Sequence, residues 1–234
     1  MPSAPSRVVG TPVAEGVGRI PGFVNSYTLQ DGEATFLIDT GLSRKARAIV
    51  RAFRDAQVPL SQVKGLLLTH HHADHRGGAA YLLAVSHAPV ACHTEDTAFV
   101  DGHAKAPMSL LMRLLLHPRP APVATVLHEG DRVGPLVVVH VPGHTPGEVA
   151  FYHLARKLLF SGDSVVEREG RLTLPAPKYA SDIDQAIRSL ARLRALNTEM
   201  LLPGHGVPVS RNIDALLDDL IQRAPRRFGS GSKA

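Results

Sequence analysis

Four histidines and an aspartate stand within six positions of the segment "LLLTHHHADHRGG". His70 and His72 alternate, and alternate residues at a strand end point to the same side, so their rings are expected to converge while His71 faces away. Asp74 and His75 follow at the start of a helix and can address a second point nearby. Imidazole nitrogens and carboxylate oxygens are ligands that Zn, Fe, Mn and Co accept. The spacing therefore predicts metal binding.

Packing alone gives no reason to place these residues directly after the apolar residues 66–68. Neighbouring imidazoles would repel one another when protonated and would cost desolvation energy when neutral and buried. Binding of a cation offsets both costs. We therefore interpret the cluster as a set of metal ligands rather than as core residues.

Three further segments end an apolar run with a turn that carries a ligand type. His144 lies in "VPGHTPG" and His205 in "LPGHG", and each follows a Pro-Gly pair in which the glycine permits a sharp turn. Asp163 ends the run "LLFSGD", which by itself is typical of a simple turn. Beside two Pro-Gly-His turns, Asp163 becomes a candidate ligand. We expect these three residues to complete the metal site.

The elements that must position these ligands alternate along the first part of the chain. Strands are predicted in "ATFLIDTG", "VKGLLLTH" and "APVACH", with helices in "SRKARAIVRAFRDAQV", capped by Ser43, and in "HRGGAAYLLAVS". Three more strands follow in "GPLVVVHVPGH", "EVAFYHL" and "KLLFSGD". A helix capped by Ser181 or Asp182, the strand "EMLLPGHG" and a closing helix complete the chain. This order predicts one α/β domain over residues 1–234, with two mixed β-sheets and helices on the outside.

Residues 101–125 interrupt this alternation. Within them, residues 107–117 read as an apolar helix that Pro107 begins and Pro118 ends. Such a helix is either a lid over the metal cleft or an interface with a second copy of the chain. Residues 225–234, which contain "GSGSKA", are expected to form a flexible tail.

The composition narrows the class of partner. The formal net charge is +5, but the arginines are scattered along predicted helices and no basic run alternates with aromatic residues, so no nucleic acid is expected. No apolar run is long enough to span a membrane, and the first residues lack the apolar stretch of a secretory signal. The single cysteine fits a reducing compartment. We expect a cytoplasmic protein that acts on a small molecule, with a homodimer as an open possibility.

These motifs resemble the metallo-β-lactamase superfamily. The match comprises the H-x-H-x-D-H motif and then single His, Asp and His residues in the same order, preceded by "LIDTG", which is similar to the first motif of the family. The resemblance covers roughly residues 20–210 and implies an αβ/βα sandwich that holds its metals at the strand ends. The residues that carry it are Asp39, His70, His72, Asp74, His75, His144, Asp163 and His205.

The resemblance also implies how the ligands are divided. One metal would be held by His70, His72 and His144. The second would be held by Asp74, His75 and His205, with Asp163 bridging the two ions. Asp39 would support a ligand from behind without touching a metal. True β-lactamases of the superfamily generally lack a bridging aspartate, so Asp163 argues against an antibiotic-degrading enzyme.

The expected reaction is hydrolysis at two divalent ions, most simply zinc, with Fe, Mn or Co as alternatives because no ligand is a thiolate. A hydroxide held by the metals would attack an ester, thioester or lactone carbonyl, and Asp74 would orient the water and accept its proton. Three alternatives stay open: a mononuclear iron enzyme similar to persulfide dioxygenases, hydrolysis of a phosphodiester or, as a promiscuous activity, of a β-lactam, and a metal-stabilised binding module without turnover. The substrate contacts are unknown from the sequence.

Overall fold

The computed structural model describes residues 7–105 and 118–228. The helix expected over residues 107–117 and the end of the expected tail therefore lie outside the described residues. The chain divides into two compact units, Met1–Leu127 and His128–Ala234. In the described parts of the chain, no helix is long and apolar enough to cross a membrane.

The first unit contains a seven-stranded mixed sheet in which the strands lie in sequence order. The first four strands pair antiparallel as successive hairpins, whereas β4 to β7 pair parallel to one another. The carboxyl ends of β4 to β7 therefore meet at one edge of the sheet. The strands are β1 (Thr11–Ala14), β2 (Val17–Ile20), β3 (Ser26–Asp31), β4 (Ala34–Ile38), β5 (Val63–Leu67), β6 (Val90–His93) and β7 (Val123–Leu127).

Helices connect the parallel strands of this unit: α1 (Ala46–Asp55), α2 (Ala73–Arg76), α3 (Ala79–Ser86) and α4 (Thr94–Val100). Helix α1 buries Ala46, Ile49 and Phe53, whose spacing of three and four residues forms one face of a helix. This face packs in one cluster with Leu66 and Val90 of the sheet. The core thus joins α1 to strands β5 and β6.

Two local details of this unit differ from the prediction. A 3-10 turn at Ser43–Lys45 precedes α1, and the helix has no side-chain cap, so the expected cap by Ser43 is wrong. The single helix expected in "HRGGAAYLLAVS" is divided into α2 and α3 at Gly77 and Gly78. A Cβ at Gly78 would lie 2.6 Å from the carbonyl oxygen of Thr40, so this close approach to the chain after β4 requires glycine there.

The second unit contains a five-stranded mixed sheet in the order β14-β11-β10-β9-β8 and a separate hairpin of β12 and β13. Strands β11 and β14 are parallel. Strand β10 is antiparallel to both β11 and β9, so β9 runs in the same direction as β11 and β14. Their carboxyl ends again share one edge. The strands are β8 (Arg132–Val133), β9 (Leu136–His140), β10 (Val149–His153), β11 (Leu158–Gly162), β12 (Val166–Arg168), β13 (Arg171–Thr173) and β14 (Met200–Pro203).

Two helices pack on this sheet, α5 (Ile183–Arg194) and α6 (Ile213–Phe228). Leu190 of α5 and Leu217 of α6 are buried with Leu159 and Leu201 of the sheet. The side chain of Asp182 accepts a hydrogen bond from the backbone N of Gln185, which settles the choice between the two expected caps of α5. Helix α6 ends at Phe228, inside the segment expected to be a tail.

Candidate metal centre

In the first unit, the predicted ligands follow the carboxyl end of β5. Strand β5 ends at Leu67, and the chain then passes through Thr69, His70 and His72 into α2, which carries Asp74 and His75. Asp39 follows the parallel neighbour β4, and its backbone N donates to the carbonyl of Leu67 at 2.9 Å. Parallel pairing of β4 and β5 therefore brings Asp39 beside the histidine cluster.

The buried carboxylate of Asp39 orients His75. Its Oδ2 lies 2.8 Å from Nδ1 of His75, and its Oδ1 accepts from the backbone N of Thr69 at 2.9 Å. A carboxylate only accepts hydrogen bonds, so Nδ1 of His75 carries the proton and Nε2 offers the lone pair. This is the arrangement in which a carboxylate behind a histidine prepares it to bind a metal. The supporting role expected for Asp39 agrees with these contacts.

Thr69 extends the same support to His70. The Thr69 hydroxyl donates to Oδ2 of Asp39 at 2.8 Å, and its oxygen lies 3.1 Å from Nδ1 of His70. Because the hydroxyl proton is directed to Asp39, the oxygen accepts the proton of His70 Nδ1, which leaves Nε2 as the ligand atom. One buried carboxylate thus fixes the tautomers of two histidines, one directly and one through a hydroxyl.

The ligand atoms of the first unit lie close together. The ring centroids of His70 and His75 are 4.0 Å apart, and those of His70 and His72 are 4.8 Å apart. Ligand atoms of Asp74 and His75 lie within 4.8 Å of each other, as do those of His70 and His72. The unit therefore presents two adjacent pairs of ligands, as the alternation in the sequence predicts.

His71 has different surroundings. Its ring stacks on Phe99 of α4 with centroids 4.2 Å apart, and its Nδ1 lies 3.0 Å from Oδ2 of Asp96. The same oxygen accepts from the backbone N of His71 at 2.8 Å. His71 is therefore a buried anchor between the ligand loop and α4. Its ring also lies edge-on to that of His72, with centroids 5.0 Å apart, and its orientation away from the metals stays a prediction.

Lys45 fixes the loop between β2 and β3. Nζ of Lys45 donates to the carbonyl of Ile20 at 2.8 Å and also to that of Val24. Burial lowers the pKa of Lys45 to about 8, against the opposing effect of the Asp39 carboxylate, while Arg19 adds to the lowering. The Lys45 ammonium thus fixes the loop that carries the exposed Phe23.

In the second unit, three predicted ligands meet at the edge formed by β9, β11 and β14. Asp163 directly follows β11 and His205 follows β14, and the two turns are joined by a 2.8 Å hydrogen bond from Gly204 N to the carbonyl of Gly162. Oδ2 of Asp163 lies 3.6 Å from Nε2 of His144 and 3.4 Å from Nε2 of His205. One carboxylate oxygen is therefore placed between two imidazole nitrogens.

These separations fit ligands that share a cation. Two ligand atoms at zinc–ligand bond lengths in a tetrahedral site are about 3.4 Å apart. A direct hydrogen bond between a nitrogen and a carboxylate oxygen is shorter, at about 2.7–2.9 Å. The donor set and its spacing therefore suit divalent metal ions, with Asp163 between two of the histidines.

The His144 turn is fixed by close packing against α5. Gly143 has a φ of 137°, and a Cβ there would lie 2.1 Å from the backbone N of Ala186. The backbone N of Ser181 donates to the carbonyl of His144 at 3.0 Å, and Asp182 N donates to that of Gly143 at 2.8 Å. Only glycine permits this conformation at this distance from the helix.

Two buried glutamates support the other turns. Oε1 of Glu148 accepts from the backbone N of Asp163 at 2.7 Å. The backbone N of Glu167 donates to the carbonyl of His205 at 3.1 Å, and its carboxylate accepts from the backbone N of Val207 at 2.8 Å. Each glutamate carboxylate therefore holds the backbone of a turn that carries a predicted ligand.

The structure thus brings together four predicted ligands within the first unit and three within the second. The supporting residues Thr69, Glu148 and Glu167 were not identified from the sequence. Thr69 directly precedes His70 and Glu148 ends the segment "HTPGE", so their positions beside ligands were the available signals. Nothing in the local sequence connects Glu167 with His205, which is 38 positions away.

Comparisons with known proteins identify a family and several relatives. The sequence model of the metallo-beta-lactamase superfamily matches residues 19–205. A Bacillus subtilis (strain 168) protein described as "Probable metallo-hydrolase YybB" is 28% identical over 197 residues, which cover 83% of this chain and 84% of that protein. The hydroxyacylglutathione hydrolase of Pseudomonas paraeruginosa (strain DSM 24068 / PA7) is 34% identical over 190 residues, covering 77% of this chain and 61% of that enzyme.

Solved structures show the same fold. The metallo-beta-lactamase family protein TTHA1429 from Thermus thermophilus has a TM-score of 0.71 at 26% identity, over 92% of this chain and 81% of that one. TTHA1623, solved in a di-iron-bound form, has a TM-score of 0.68 at 30% identity, over 84% of this chain and 95% of that one. The predicted fold class, two mixed sheets with helices, is confirmed.

Proposed function

The chain belongs to the metallo-beta-lactamase superfamily and is a metal-dependent hydrolase, and from this premise we propose that it holds two divalent metal ions and hydrolyses an ester, thioester or lactone carbonyl. A thioester is the favoured substrate class. The support for it is the similarity to enzymes named hydroxyacylglutathione hydrolase, at 34% and 33% identity in two organisms.

The observation that carries the two-metal proposal is the position of Asp163. Its Oδ2 lies within 3.6 Å of Nε2 of His144 and within 3.4 Å of Nε2 of His205. We assign those two histidines to different ions. A carboxylate between them is then suited to bridge the ions.

The remaining ligands complete the assignment. His70 and His72 join His144 at one ion, and Asp74 and His75 join the other ligand set. The fixed tautomers of His70 and His75 support both residues as ligands, because in each ring Nδ1 is engaged by Thr69 or Asp39 and Nε2 carries the lone pair. Asp39 itself contacts no proposed metal.

The chain's own residues have distinct tasks in the proposed reaction. When bound, two divalent ions would lower the pKa of a coordinated water and polarise the substrate carbonyl. Asp74, partly exposed in the first turn of α2, orients the attacking water and accepts its proton. A thiol has a pKa of about 8.5 and leaves as a thiolate without a general acid, so a thioester suits a site with one catalytic carboxylate.

The test joins metal analysis to a substrate panel. The purified full-length chain is loaded separately with zinc and with iron, its metal content is measured by mass spectrometry, and matched thioester, ester and lactone substrates are assayed. We expect two ions per chain, thioester hydrolysis as the fastest reaction, and about one ion per chain with strongly reduced activity in Asp163→Asn.

Other results would reassign the function. A single iron with oxygen uptake on a persulfide would replace hydrolysis by oxidation. Turnover confined to a phosphodiester or to a chromogenic cephalosporin would replace the acyl substrate. Full metal loading without any turnover in a broad hydrolase panel would favour a binding module. The di-iron state of TTHA1623 is the reason to include iron among the metals tested.

A further inference from the structure

A cavity of about 350 Å³ lies in the second unit between the β12–β13 hairpin and α6. Its volume is at the lower end of the range of small-molecule sites. Most of its wall is apolar, and the two charged side chains in the part of the lining that the structure describes are both arginines. We call it the arginine pocket; its lining includes Arg168 and Thr173 of the hairpin, Leu174 and Pro177 of the following loop, and Leu220 and Arg223 of α6.

The charge around this pocket is suited to an anion. Arg168 faces Arg171 directly across the hairpin, a pairing of like charges that destabilises a two-stranded sheet. Arg223 is held by Asp219 through contacts of 2.8 and 2.7 Å, which fixes the orientation of its guanidinium. Among the described residues, no carboxylate lies within 4.0 Å of the Arg168 guanidinium. A bound anion would offset this positive charge.

The neighbouring carboxylates do not neutralise Arg168. Oε1 and Oε2 of Glu167 accept from the backbone N of Gly170 at 2.7 Å and from that of Val207 at 2.8 Å. The hydrogen bond from Arg223 lowers the pKa of Asp219, so that carboxyl stays ionised and paired. The Glu167 carboxylate is therefore engaged by backbone N–H groups and that of Asp219 by Arg223, and no acidic residue is among the described residues that line the pocket.

Two backbone connections place the pocket next to the ligand turns of the same unit. Glu167, the residue before Arg168, donates its backbone N–H to the carbonyl of His205. On the other side, Pro177 lines the pocket, and Ser181 donates to the carbonyl of His144. Four residues of chain span at most about 14 Å, so the pocket lies within the length of a small substrate from the His144 turn.

The direction of α6 agrees with this position. After His205 the chain returns antiparallel to β14, as the bridge between Leu201 and Val209 shows. Helix α6 then starts at the opposite edge of the sheet and runs for 16 residues, a length of about 24 Å. Arg223, in its last turns, donates to the carbonyl of Leu172 at 3.2 Å, and Leu172 pairs with Glu167, whose backbone N bonds to the His205 turn.

We infer that the arginine pocket binds an anionic group, a carboxylate or phosphate, at the end of the substrate remote from the reacting carbonyl. The guanidinium of Arg168 makes the charged contact, Arg223 adds an oriented donor, and the apolar wall accepts the carbon chain that joins the anion to the carbonyl. This inference rests on the proposed hydrolysis and narrows its substrate class. The anion takes no part in bond breaking, so the reaction remains the addition of water across the acyl bond.

The test compares substrates that differ by one charge. Two thioesters are made with a terminal carboxylate, either on the acyl part or on the thiol part, and each has a partner in which the carboxylate is an amide. For the wild-type enzyme loaded with metal, we expect kcat/KM to be about tenfold higher for one carboxylate than for its amide. Arg168→Gln is expected to remove this ratio. Arg171→Gln, which changes the same charge on the opposite strand but does not line the pocket, should retain it.

A binding measurement keeps the pocket separate from the reaction. Non-hydrolysable thioether analogues of the same pairs, and terminal phosphate versions, are titrated by calorimetry into the metal-loaded chain and its variants. Charge-dependent binding that Arg168→Gln abolishes, without turnover of the matching thioesters, would support the pocket and refute thioester hydrolysis as the reaction. Equal binding of the carboxylate and amide analogues, or equal losses in Arg168→Gln and Arg171→Gln, would overturn the pocket even if hydrolysis is observed.

Discussion

Replacement of Thr69 by valine removes a hydroxyl while it keeps nearly the same shape. The hydroxyl donates to Asp39 at 2.8 Å and lies 3.1 Å from Nδ1 of His70. A hydrogen bond to a charged group contributes about 1.5–3 kcal/mol, and a buried donor without an acceptor costs about 1–3 kcal/mol. Because His70 must keep its proton on Nδ1 to bind a metal through Nε2, this second cost falls mainly on the metal-bound state.

We therefore expect Thr69→Val to lower metal affinity about 10- to 100-fold, the range found when a partner behind a ligand is lost. Asp39 retains its bonds to the Thr69 backbone and to His75, so the ion that we assign to His70 should dissociate first. The measurement is a competition titration against a chelator, with the metal count followed by mass spectrometry.

Thr69→Ser is the matched control because it retains the hydroxyl. We expect its metal affinity to stay within about threefold of the wild type, while urea unfolding of the metal-free proteins records any general loss of stability. The reasoning fails if Thr69→Val binds metal as tightly as the wild type. It also fails if the serine variant loses as much affinity as the valine variant.

Three further predictions concern the supports around the ligands. Gly143→Ala would place a methyl group 2.1 Å from the backbone N of Ala186. We therefore expect its free energy of unfolding in urea to fall by at least about 2 kcal/mol, together with loss of metal. The control is Gly170→Ala, because Gly170 has a positive φ but open space around it, so this variant measures the cost of the backbone conformation alone. Burial lowers the pKa of Lys45 to about 8, whereas an unfolded lysine has a pKa of about 10.4. Between these two pH values the unfolded chain therefore binds a proton that the folded chain does not. We expect the free energy of unfolding of the wild type to rise with pH in this range, relative to that of Lys45→Met. His71→Ala should cost about 2–3 kcal/mol because it removes the imidazole that lies 3.0 Å from the buried Asp96 carboxylate and stacks on Phe99; a metal count as low as that of a ligand variant in the folded protein would contradict its anchoring role.

The predicted ligands could be chosen because each is marked by short-range sequence features. An apolar run followed by a histidine or aspartate identifies both a buried strand and the residue at its carboxyl end, as at His70 and Asp163. The strand pairing confirms the edge at which these residues gather, since β4 to β7 are parallel in one unit and β9, β11 and β14 share a direction in the other.

The supports were less predictable because they depend on packing between segments far apart in the sequence. The interruption between α2 and α3 follows from the approach of Gly78 to Thr40, 38 positions earlier. The role of Glu167 follows from the pairing of a short hairpin with the His205 turn. The strands β12 and β13 have only three residues each, too few to show an alternating pattern.

Metal binding and substrate recognition should be separable in this chain. The side-chain partners of Thr69 are Asp39, His70 and His75, and none of them lines the arginine pocket. Changes at sites without shared partners usually add in free energy, so we expect Thr69→Val to leave the carboxylate-to-amide ratio within about twofold and Arg168→Gln to leave the metal affinity within about twofold. A double variant should then show the full loss of both properties. If it instead loses much less or much more than the sum, the bound anion must influence the metals through the substrate, and recognition and chemistry would be coupled rather than independent.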